Sequence, residues 1–136
     1  MHNISNFIIV DDERISTMLC EISIRNTFPN PIIYKFANPV DALLHLGKEY
    51  NDSSIIQPTI LFLDIYMPVI DGWEFLHCFS RFDERIKSQV SIIVLSSSNE
   101  PADKQRALTN LYVTDYVVKP LLQETLYYTL SKYKAA

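Results

Sequence analysis

Five side chains that could do chemistry lie at the ends of four short apolar runs of the sequence. They are three carboxylates, a hydroxyl and an ammonium: Asp11, Asp12, Asp64, Ser96 and Lys119. A short apolar run of this kind is typical of a buried strand in a parallel sheet. The carboxyl ends of parallel strands meet at one edge, where ligands of open α/β sheets bind. We therefore expect these five side chains to lie together at that edge.

This set of side chains favours phosphoryl chemistry at a metal-binding edge. Crowded carboxylates raise one another's pKa, and a single lysine cannot neutralise three of them. A hard divalent cation with oxygen ligands, most naturally Mg2+, meets that need. Asp64 could then attack phosphorus, because carboxylates form aspartyl phosphates and the transfer depends on positioning and electrostatics. Lys119 and the Ser96 hydroxyl would contact the phosphoryl oxygens.

The elements that must position these residues alternate along the chain. Apolar runs predict five strands, at about residues 7–10, 32–36, 60–63, 91–95 and 115–118. Helical patterns follow each of them, so we expect an α/β fold with a parallel sheet covered by helices on both faces. Apolar residues at helical spacing predict an amphipathic first helix with Ile15, Met18, Leu19 and Ile22. Similar spacing predicts that Val40, Leu43 and Leu44 form the inner face of the second helix.

Length and composition limit the class of protein. The 136 residues predict a single domain over residues 1–136, with a core of about 5–133 and no output domain. No apolar run approaches the roughly 18 residues of a membrane helix, and the N-terminus lacks a secretory pattern. The net charge of −4 argues against nucleic-acid binding. Cys20 and Cys78 are interpreted as reduced core thiols, so we expect a cytoplasmic protein.

Four motifs at the strand ends resemble the receiver domain of two-component response regulators. They are Val10-Asp11-Asp12, Leu63-Asp64 with Met67-Pro68 and Asp71-Gly72, Leu95-Ser96, and Tyr116-Val117-Val118-Lys119-Pro120. The resemblance implies a doubly wound (βα)5 fold of the flavodoxin or CheY-like type, with a five-stranded sheet of order 2-1-3-4-5. It also implies a phosphoacceptor signalling switch rather than an enzyme, of the stand-alone type that pairs with phytochrome-type or hybrid kinases.

The resemblance assigns a role to each residue of the predicted metal site. Asp64 is similar to the phosphoacceptor of the family. Asp12, Asp64 and the backbone carbonyl of Tyr66 are similar to the direct Mg2+ ligands, with Asp11 acting mainly through water. Asp71 is expected to cap the next helix rather than to contact the metal.

The resemblance also implies a switch and its partners. Ser96 and Tyr116 match the two switch positions, and Lys119 matches the phosphate-contacting lysine, with a cis bond to Pro120. A sensor histidine kinase or phosphotransfer protein would be the phosphodonor. The surface of the fourth helix, fifth strand and last helix would bind a downstream protein. Downstream phosphotransfer or a change in self-association, such as a homodimer, are open alternatives.

Two positions depart from the family pattern, and the loop at residues 48–58 is longer than in the smallest chemotaxis-type receivers. The switch hydroxyl is Ser96 rather than the commoner threonine. The turn before the fifth strand lacks the frequent glycine, so we expect Asn110 to adopt the unusual backbone geometry there. Tyr66 lies two residues past Asp64, where its bulk could hinder the attacking water, which predicts a long-lived phosphoryl group and slow autodephosphorylation.

Three other functions compete with this interpretation. A phosphatase with an aspartate nucleophile would usually carry a second carboxylate two residues on, where this chain has Tyr66. A flavin-binding module would need a phosphate loop after the first strand, and the acidic residues 11–13 have the opposite charge. A receiver fold that acts only as an unphosphorylated docking module is less favoured, since the complete reactive set is present.

Overall fold

A computed structural model describes residues 4–52 and 54–135 of the chain, with side chains described as far as residue 131. The strands are β1 (Asn6–Val10), β2 (Ile32–Phe36), β3 (Thr59–Leu63), β4 (Val90–Ser96) and β5 (Val113–Val118). The helices are α1 (Arg14–Thr27), α2 (Pro39–Glu49), α3 (Gly72–Ser80), α4 (Glu84–Lys87), α5 (Pro101–Leu108) and α6 (Gln123–Ala135). The short α4 was not predicted, so the predicted fourth helix is α5. Among the described residues, no helix is long and apolar enough to span a membrane.

The five strands form one parallel sheet of order β2-β1-β3-β4-β5, which confirms the predicted α/β fold and strand order. The register pairs Val10 of β1 with Leu63 of β3, and Leu63 with Val94 of β4. Strands in this register end at nearly the same level. The residues that follow β1 and β3 are therefore neighbours, which is what the site at this edge requires.

Every residue of β3 is buried, because the sheet is covered on both faces. Leu61 and Leu63 belong to the hydrophobic layer that includes residues of α2, α3 and α5. Ile60 and Phe62 belong to the opposite layer, against α1 and α6. Successive side chains of a strand point to opposite faces, so the same short strand fills both layers. The apolar run that predicted β3 was continuous for this reason.

The inner faces of the first two helices differ from the sequence prediction. In α1 the buried residues are Ser16, Cys20, Ser23 and Ile24. Ile15, Met18, Leu19 and Ile22 are exposed. The buried residues are mostly small and also have helical spacing, and the Ser23 hydroxyl donates to the Leu121 carbonyl at 2.6 Å. Small, satisfied side chains can be buried there without an apolar surface.

The inner face of α2 is likewise different from the prediction. Ala42 and Leu46 are buried in this helix, whereas Val40 and Leu44 are exposed and Leu43 is only partly buried. The prediction ranked positions by hydrophobicity, which favoured three apolar residues over the small Ala42. Exposed single apolar residues are common on protein surfaces, so hydrophobicity alone did not determine the helix orientation.

Two further predictions about single residues were wrong. Cys20 is buried as expected, and burial raises the pKa of its thiol far above the ordinary value. Cys78 on α3 is exposed rather than in the core. Asn110 does not take a left-handed geometry; its side-chain carbonyl accepts a hydrogen bond from the Tyr112 amide at 2.9 Å. A side-chain turn of this kind replaces the glycine that the family often has.

Gly72, the first residue of α3, approaches the backbone that follows β3. Its amide donates to the Ile65 carbonyl at 2.7 Å. A Cβ at this position would lie 2.7 Å from both the Asp64 carbonyl oxygen and the Ile65 Cα. The absence of a side chain therefore allows α3 to begin directly beneath the loop that carries Asp64.

We predict that Gly72→Ala destabilises the protein by about 1–3 kcal/mol, because the backbone must shift to admit the methyl group. Gly47→Ala is the matched control. A Cβ at Gly47, within α2, would make an ordinary 3.4 Å contact with the Phe82 ring. The control should be neutral or stabilising by up to about 1 kcal/mol, since alanine is the better helix former. Urea unfolding measures both changes, and equal effects would contradict the prediction.

Candidate functional site

Two buried carboxylates lie side by side at the carboxyl edge of the sheet. Asp11 and Asp64 each come one residue after a strand, and are 4% and 6% exposed. Their backbones continue the sheet pattern, since the Asp64 amide donates to the Val10 carbonyl at 2.9 Å. Asp12 is exposed next to them, and carboxylate oxygens of Asp11, Asp12 and Asp64 lie within 4.8 Å of one another. The structure thus brings together the three carboxylates that the sequence predicted.

The ammonium of Lys119, just after β5, meets this acidic group. Its Nζ lies 2.9 Å from Asp11 Oδ2 and 3.7 Å from Asp64 Oδ2. Glu13, which the prediction did not include, is 3.7 Å from the same ammonium, and its amide donates to Asp11 Oδ1 at 2.8 Å. The sequence did contain a signal for Glu13, which is its position directly after Asp11 and Asp12. The Lys119–Pro120 bond is cis, as the resemblance implied.

The two main partners of this ion-pair group have altered pKa values. Burial, and then the negative charge of Asp11, raise the pKa of Asp64 to about 7, against the opposing effect of Lys119. Burial alone would lower the pKa of Lys119. The hydrogen bond to Asp11 and the charges of Asp11 and Asp64 outweigh it and raise the pKa instead. One ammonium therefore does not satisfy both buried carboxylates, and Asp64 is the one that is left with excess negative charge.

The hydroxyl predicted to complete the site lies at the end of β4. Ser96 is fully buried, and its carbonyl accepts a hydrogen bond from the Lys119 amide at 2.8 Å. Its Oγ accepts from the Ser98 amide at 3.1 Å. The Tyr116 hydroxyl, from β5, donates to the Ser98 carbonyl at 2.6 Å. The two predicted switch residues are thus joined through the loop that follows β4.

Tyr66 also takes part in hydrogen bonds across the site edge. Its amide donates to Asp64 Oδ1 at 3.3 Å, and its hydroxyl donates to Asp103 Oδ2 at 2.5 Å. The bond to Asp103 is the main reason why the pKa of Tyr66 rises to about 12. Sequence reasoning missed Asp103, because an acidic residue in the first turn of a helix is a common feature with no functional signature.

The loop between Asp64 and α3 is closed at both ends. Asp71 caps α3 as predicted: its carboxylate accepts from the Glu74 amide at 2.9 Å, and the Glu74 carboxylate accepts from the Asp71 amide. Within the loop, Val69 has φ of 71° and is 93% exposed. A β-branched residue in this region is strained. The strained residue is therefore at the solvent-exposed part of the loop. The part next to β3 is held by the hydrogen bond between Gly72 and Ile65.

Asp11 and Asp12 line a cleft between α1 and β2. This cleft has a volume of about 670 Å3, and its lining includes Asp11, Asp12, Arg14, Met18 and Lys35. It therefore mixes both signs of charge with apolar surface.

Comparison with known proteins agrees with this geometry. Residues 7–131 match the family model of the response regulator receiver domain. The structure resembles a crystal structure of a two-component response regulator from Cytophaga hutchinsonii, with a TM-score of 0.84, 28% identity and 98% of each chain covered. The fold and this match define the class of protein, a signalling domain of two-component systems. The chain belongs to the response regulator receiver domain family.

Two relatives extend the comparison to larger regulators. A probable methanogenesis regulatory protein, FilR2, from Methanothrix harundinacea (strain 6Ac) is 35% identical over 77 residues, which are 57% of this chain and 48% of that protein. The cyclic di-GMP phosphodiesterase response regulator RpfG from Xanthomonas campestris pv. campestris (strain 8004) is 29% identical over 116 residues, 85% of this chain and 28% of that protein. The matched regions span about half and about a quarter of these relatives.

We predict that Asp64→Asn stabilises the metal-free protein at pH 8. Between about pH 4 and 7, folded Asp64 retains a proton that the unfolded chain has released. The free energy of unfolding therefore falls as pH rises through this window. The gain at pH 8 should be on the order of 1 kcal/mol, since water screens part of the repulsion.

Urea unfolding of the wild type and Asp64→Asn in chelator, at pH 5 and pH 8, measures this effect. The gain should be much smaller at pH 5, where Asp64 is protonated in the folded wild type. Asp41→Asn, at an exposed carboxylate of α2, is the control and should show little difference between the two pH values. Equal gains for Asp64→Asn at both pH values would contradict the assigned cause.

Proposed function

We propose that this receiver domain accepts a phosphoryl group on Asp64, with Mg2+, from a sensor histidine kinase or phosphotransfer protein. Receiver domains are the signalling switches of two-component systems, and they interact with such donors and with downstream partners. In this proposal, phosphorylation of Asp64 changes a protein-interaction surface. The chain would be a switch whose own residues assist the phosphoryl transfer, and not an enzyme with a separate substrate.

The observation that carries this proposal is the unequal pairing of Lys119. The ammonium is 2.9 Å from Asp11 and 3.7 Å from Asp64, so Asp64 is the less neutralised of the two buried carboxylates. Such a carboxylate is available as a nucleophile. Lys119 is close enough to contact oxygens of a phosphoryl group on Asp64, where the added negative charge would strengthen the interaction. The unphosphorylated docking module gives no reason for this arrangement.

The donor set fits the proposed Mg2+. Asp12, Asp64 and the carbonyl of Tyr66 would be the direct ligands, and Asp11 would act mainly through water. Carboxylate oxygens within 4.8 Å of one another suit a hard cation that prefers oxygen. When bound, the cation offsets the negative charge of the carboxylates and of the incoming phosphoryl group. The raised pKa of Asp64 supports the proposal, since it indicates negative charge that the protein alone does not balance.

The proposed output begins at Ser96 and Tyr116. A phosphoryl group on Asp64 would attract the Ser96 hydroxyl as a hydrogen-bond donor. Turning toward it would disturb the 3.1 Å bond that Ser96 Oγ now accepts from the Ser98 amide. The Ser98 carbonyl holds the Tyr116 hydroxyl, so a shift of the loop would reach β5. The surface of α5, β5 and α6 is therefore the proposed binding site for a downstream protein.

The organisation of the protein around this switch is part of the proposal. The receiver domain would act in the cytoplasm, with output through a partner protein. Downstream phosphotransfer and homodimer formation are the alternative outputs. The exposed Leu122, Tyr127 and Tyr128 of the α6 region support a protein-binding role for this surface.

We predict that acetyl phosphate with Mg2+ adds one phosphate to the wild type and none to Asp64→Asn. Asp64 is the proposed nucleophile, and the variant replaces it with a neutral amide. Intact-protein mass spectrometry measures the gain, which should also be absent in chelator. Folding of the variant is checked by circular dichroism. An equal gain in the variant would show a different acceptor, and no gain in the folded wild type would favour the docking-module function.

We predict that Mg2+ raises the Tm of the wild type at pH 8 by several degrees at about 100 times its Kd. The shift should shrink as pH falls below about 7, because the proton on Asp64 competes with the cation. Asp12→Asn should lose most of the shift, and Asp41→Asn should retain it. A shift that is independent of pH, or equal in both variants, would argue against cation binding at this site.

A further inference from the structure

One carboxylate oxygen outside the acidic pocket accepts hydrogen bonds from two hydroxyl groups. Asp103 Oδ2, in the first turn of α5, accepts from the Tyr66 hydroxyl at 2.5 Å and from Ser98 Oγ at 2.6 Å. Tyr66 belongs to the loop after β3, and Ser98 belongs to the loop after β4. Asp103 thus connects two loops that leave neighbouring strands of the sheet.

The backbone amides of the same two residues, Tyr66 and Ser98, are hydrogen-bonded to Asp64 and Ser96. The Tyr66 amide donates to Asp64 Oδ1 at 3.3 Å, and the Ser98 amide donates to Ser96 Oγ at 3.1 Å. Hydrogen bonds therefore run from Asp64 through Tyr66, Asp103 and Ser98 to Ser96. We call these contacts the Asp103 bridge. Its two ends are the proposed phosphoacceptor and the proposed switch hydroxyl.

The Asp103 bridge fixes side chains that burial does not fix. The Tyr66 side chain is 55% exposed, so packing leaves its ring free to adopt other rotamers. A hydrogen bond to an ionised acceptor restrains it more strongly than a neutral one would. The same bonds, with the Ser98 hydroxyl first and the Tyr66 hydroxyl second, lower the pKa of Asp103, which keeps this acceptor charged. Asp103 is thus the group that determines where the Tyr66 ring lies.

This position matters for the fate of a phosphoryl group. Such a group on Asp64 that also attracts the Ser96 hydroxyl must lie between the two ends of the bridge. The bonds from the Tyr66 and Ser98 hydroxyls to Asp103 do not involve Ser96, so they can persist when the Ser96 hydroxyl turns. In hydrolysis, a water oxygen bonds to phosphorus while the bond from phosphorus to the Asp64 oxygen breaks. The carboxylate leaves with the electron pair, and the protons of the water go to the released phosphate and the solvent. Tyr66 and Ser98 are hydrogen-bonded to Asp64 and Ser96, so both lie next to the phosphoryl group that this water must reach.

We propose that Asp103 is a positioning residue that prolongs the phosphorylated state, because it holds Tyr66 and Ser98 beside the phosphoryl group. This inference rests on the proposed phosphorylation of Asp64. The size of the Tyr66 side chain is not the whole cause of the long lifetime in this proposal. A tyrosine released from Asp103 has the same size but no fixed position. Lifetime is then a property of the bridge, and it depends on a residue of α5 that contacts neither metal nor phosphate.

The test compares the decay of phosphorylated protein among variants of the bridge. Protein is loaded with acetyl phosphate and Mg2+, the donor is removed by desalting, and the phosphorylated mass is followed with Mg2+ held constant. Tyr66→Phe loses one of the restraining hydrogen bonds and Asp103→Ala loses both. Each variant should decay about threefold to tenfold faster than the wild type. The double variant should decay no faster than the quicker single variant, because both substitutions break the same connection.

Two matched variants separate positioning from a general structural effect. Asp103→Asn keeps a side-chain oxygen that can accept from both hydroxyls but loses the charge, so its decay should be slower than that of Asp103→Ala and faster than that of the wild type. Asp41→Ala removes an acidic residue from the first turn of another helix, α2, and should leave decay unchanged. Thermal unfolding of each variant confirms that the loaded proteins are folded.

The possible failures are distinguishable. If every variant is phosphorylated and loses its phosphate at the wild-type rate, the positioning role of Asp103 is overturned. Asp64 would still be the phosphoacceptor in that case. Additive acceleration in the double variant would also overturn the positioning role, since the two residues would then act separately. No mass gain in the wild type would overturn the proposed function, and this inference with it.

Discussion

The structure depends on one ammonium shared by two buried carboxylates. Lys119 lies 2.9 Å from Asp11 and 3.7 Å from Asp64, at an edge where both carboxylates are almost inaccessible to water. Burying one ionised carboxylate is costly, and burying two with a single counter-charge leaves repulsion between them. The arrangement persists because β1, β3 and β5 are held in a sheet by their apolar residues. The free energy of the hydrophobic layers therefore maintains an electrostatically unfavourable edge, and the proposed reactivity of Asp64 rests on it.

The same edge is mechanically connected to the helices that cover one face of the sheet. Ser98 is central to this connection, since its amide, hydroxyl and carbonyl contact Ser96, Asp103 and Tyr116 respectively. A movement of Ser96 would thus alter the contacts of Ser98 with the start of α5 and with β5. Gly72 has the opposite effect on the other side of Asp64, because it fixes the backbone there against α3. One border of the site is thus held by a close backbone contact, and the other by the hydrogen bonds of a single loop residue.

The sequence predicted the fold and the meeting of the acidic side chains with Lys119 at one sheet edge, because both depend on patterns within short segments. Continuous apolar runs identified the strands, and parallel strands necessarily bring Asp11, Asp64 and Lys119 to one edge. Helix orientation was less predictable, since small residues such as Ser16 and Ser23 are buried in α1 while larger apolar ones are exposed. Asp103 could not be predicted, because its contact with Tyr66 joins residues 37 positions apart and neither has a distinctive local signature.

The side chains of β3 alternate between the two hydrophobic layers, so insertions and deletions within this strand should be poorly tolerated. Leu61 and Leu63 fill one layer and Ile60 and Phe62 the other. Insertion or deletion of one codon within β3 would exchange these assignments, since the side-chain period of a strand is two. It would also turn Asp64 away from Lys119, so core and chemistry would be lost in one event. Length variation should accordingly accumulate in the segments between elements, where closing a longer loop costs little. In this protein, a change in the length of β3 should therefore cost more stability than the replacement of any single apolar residue in it.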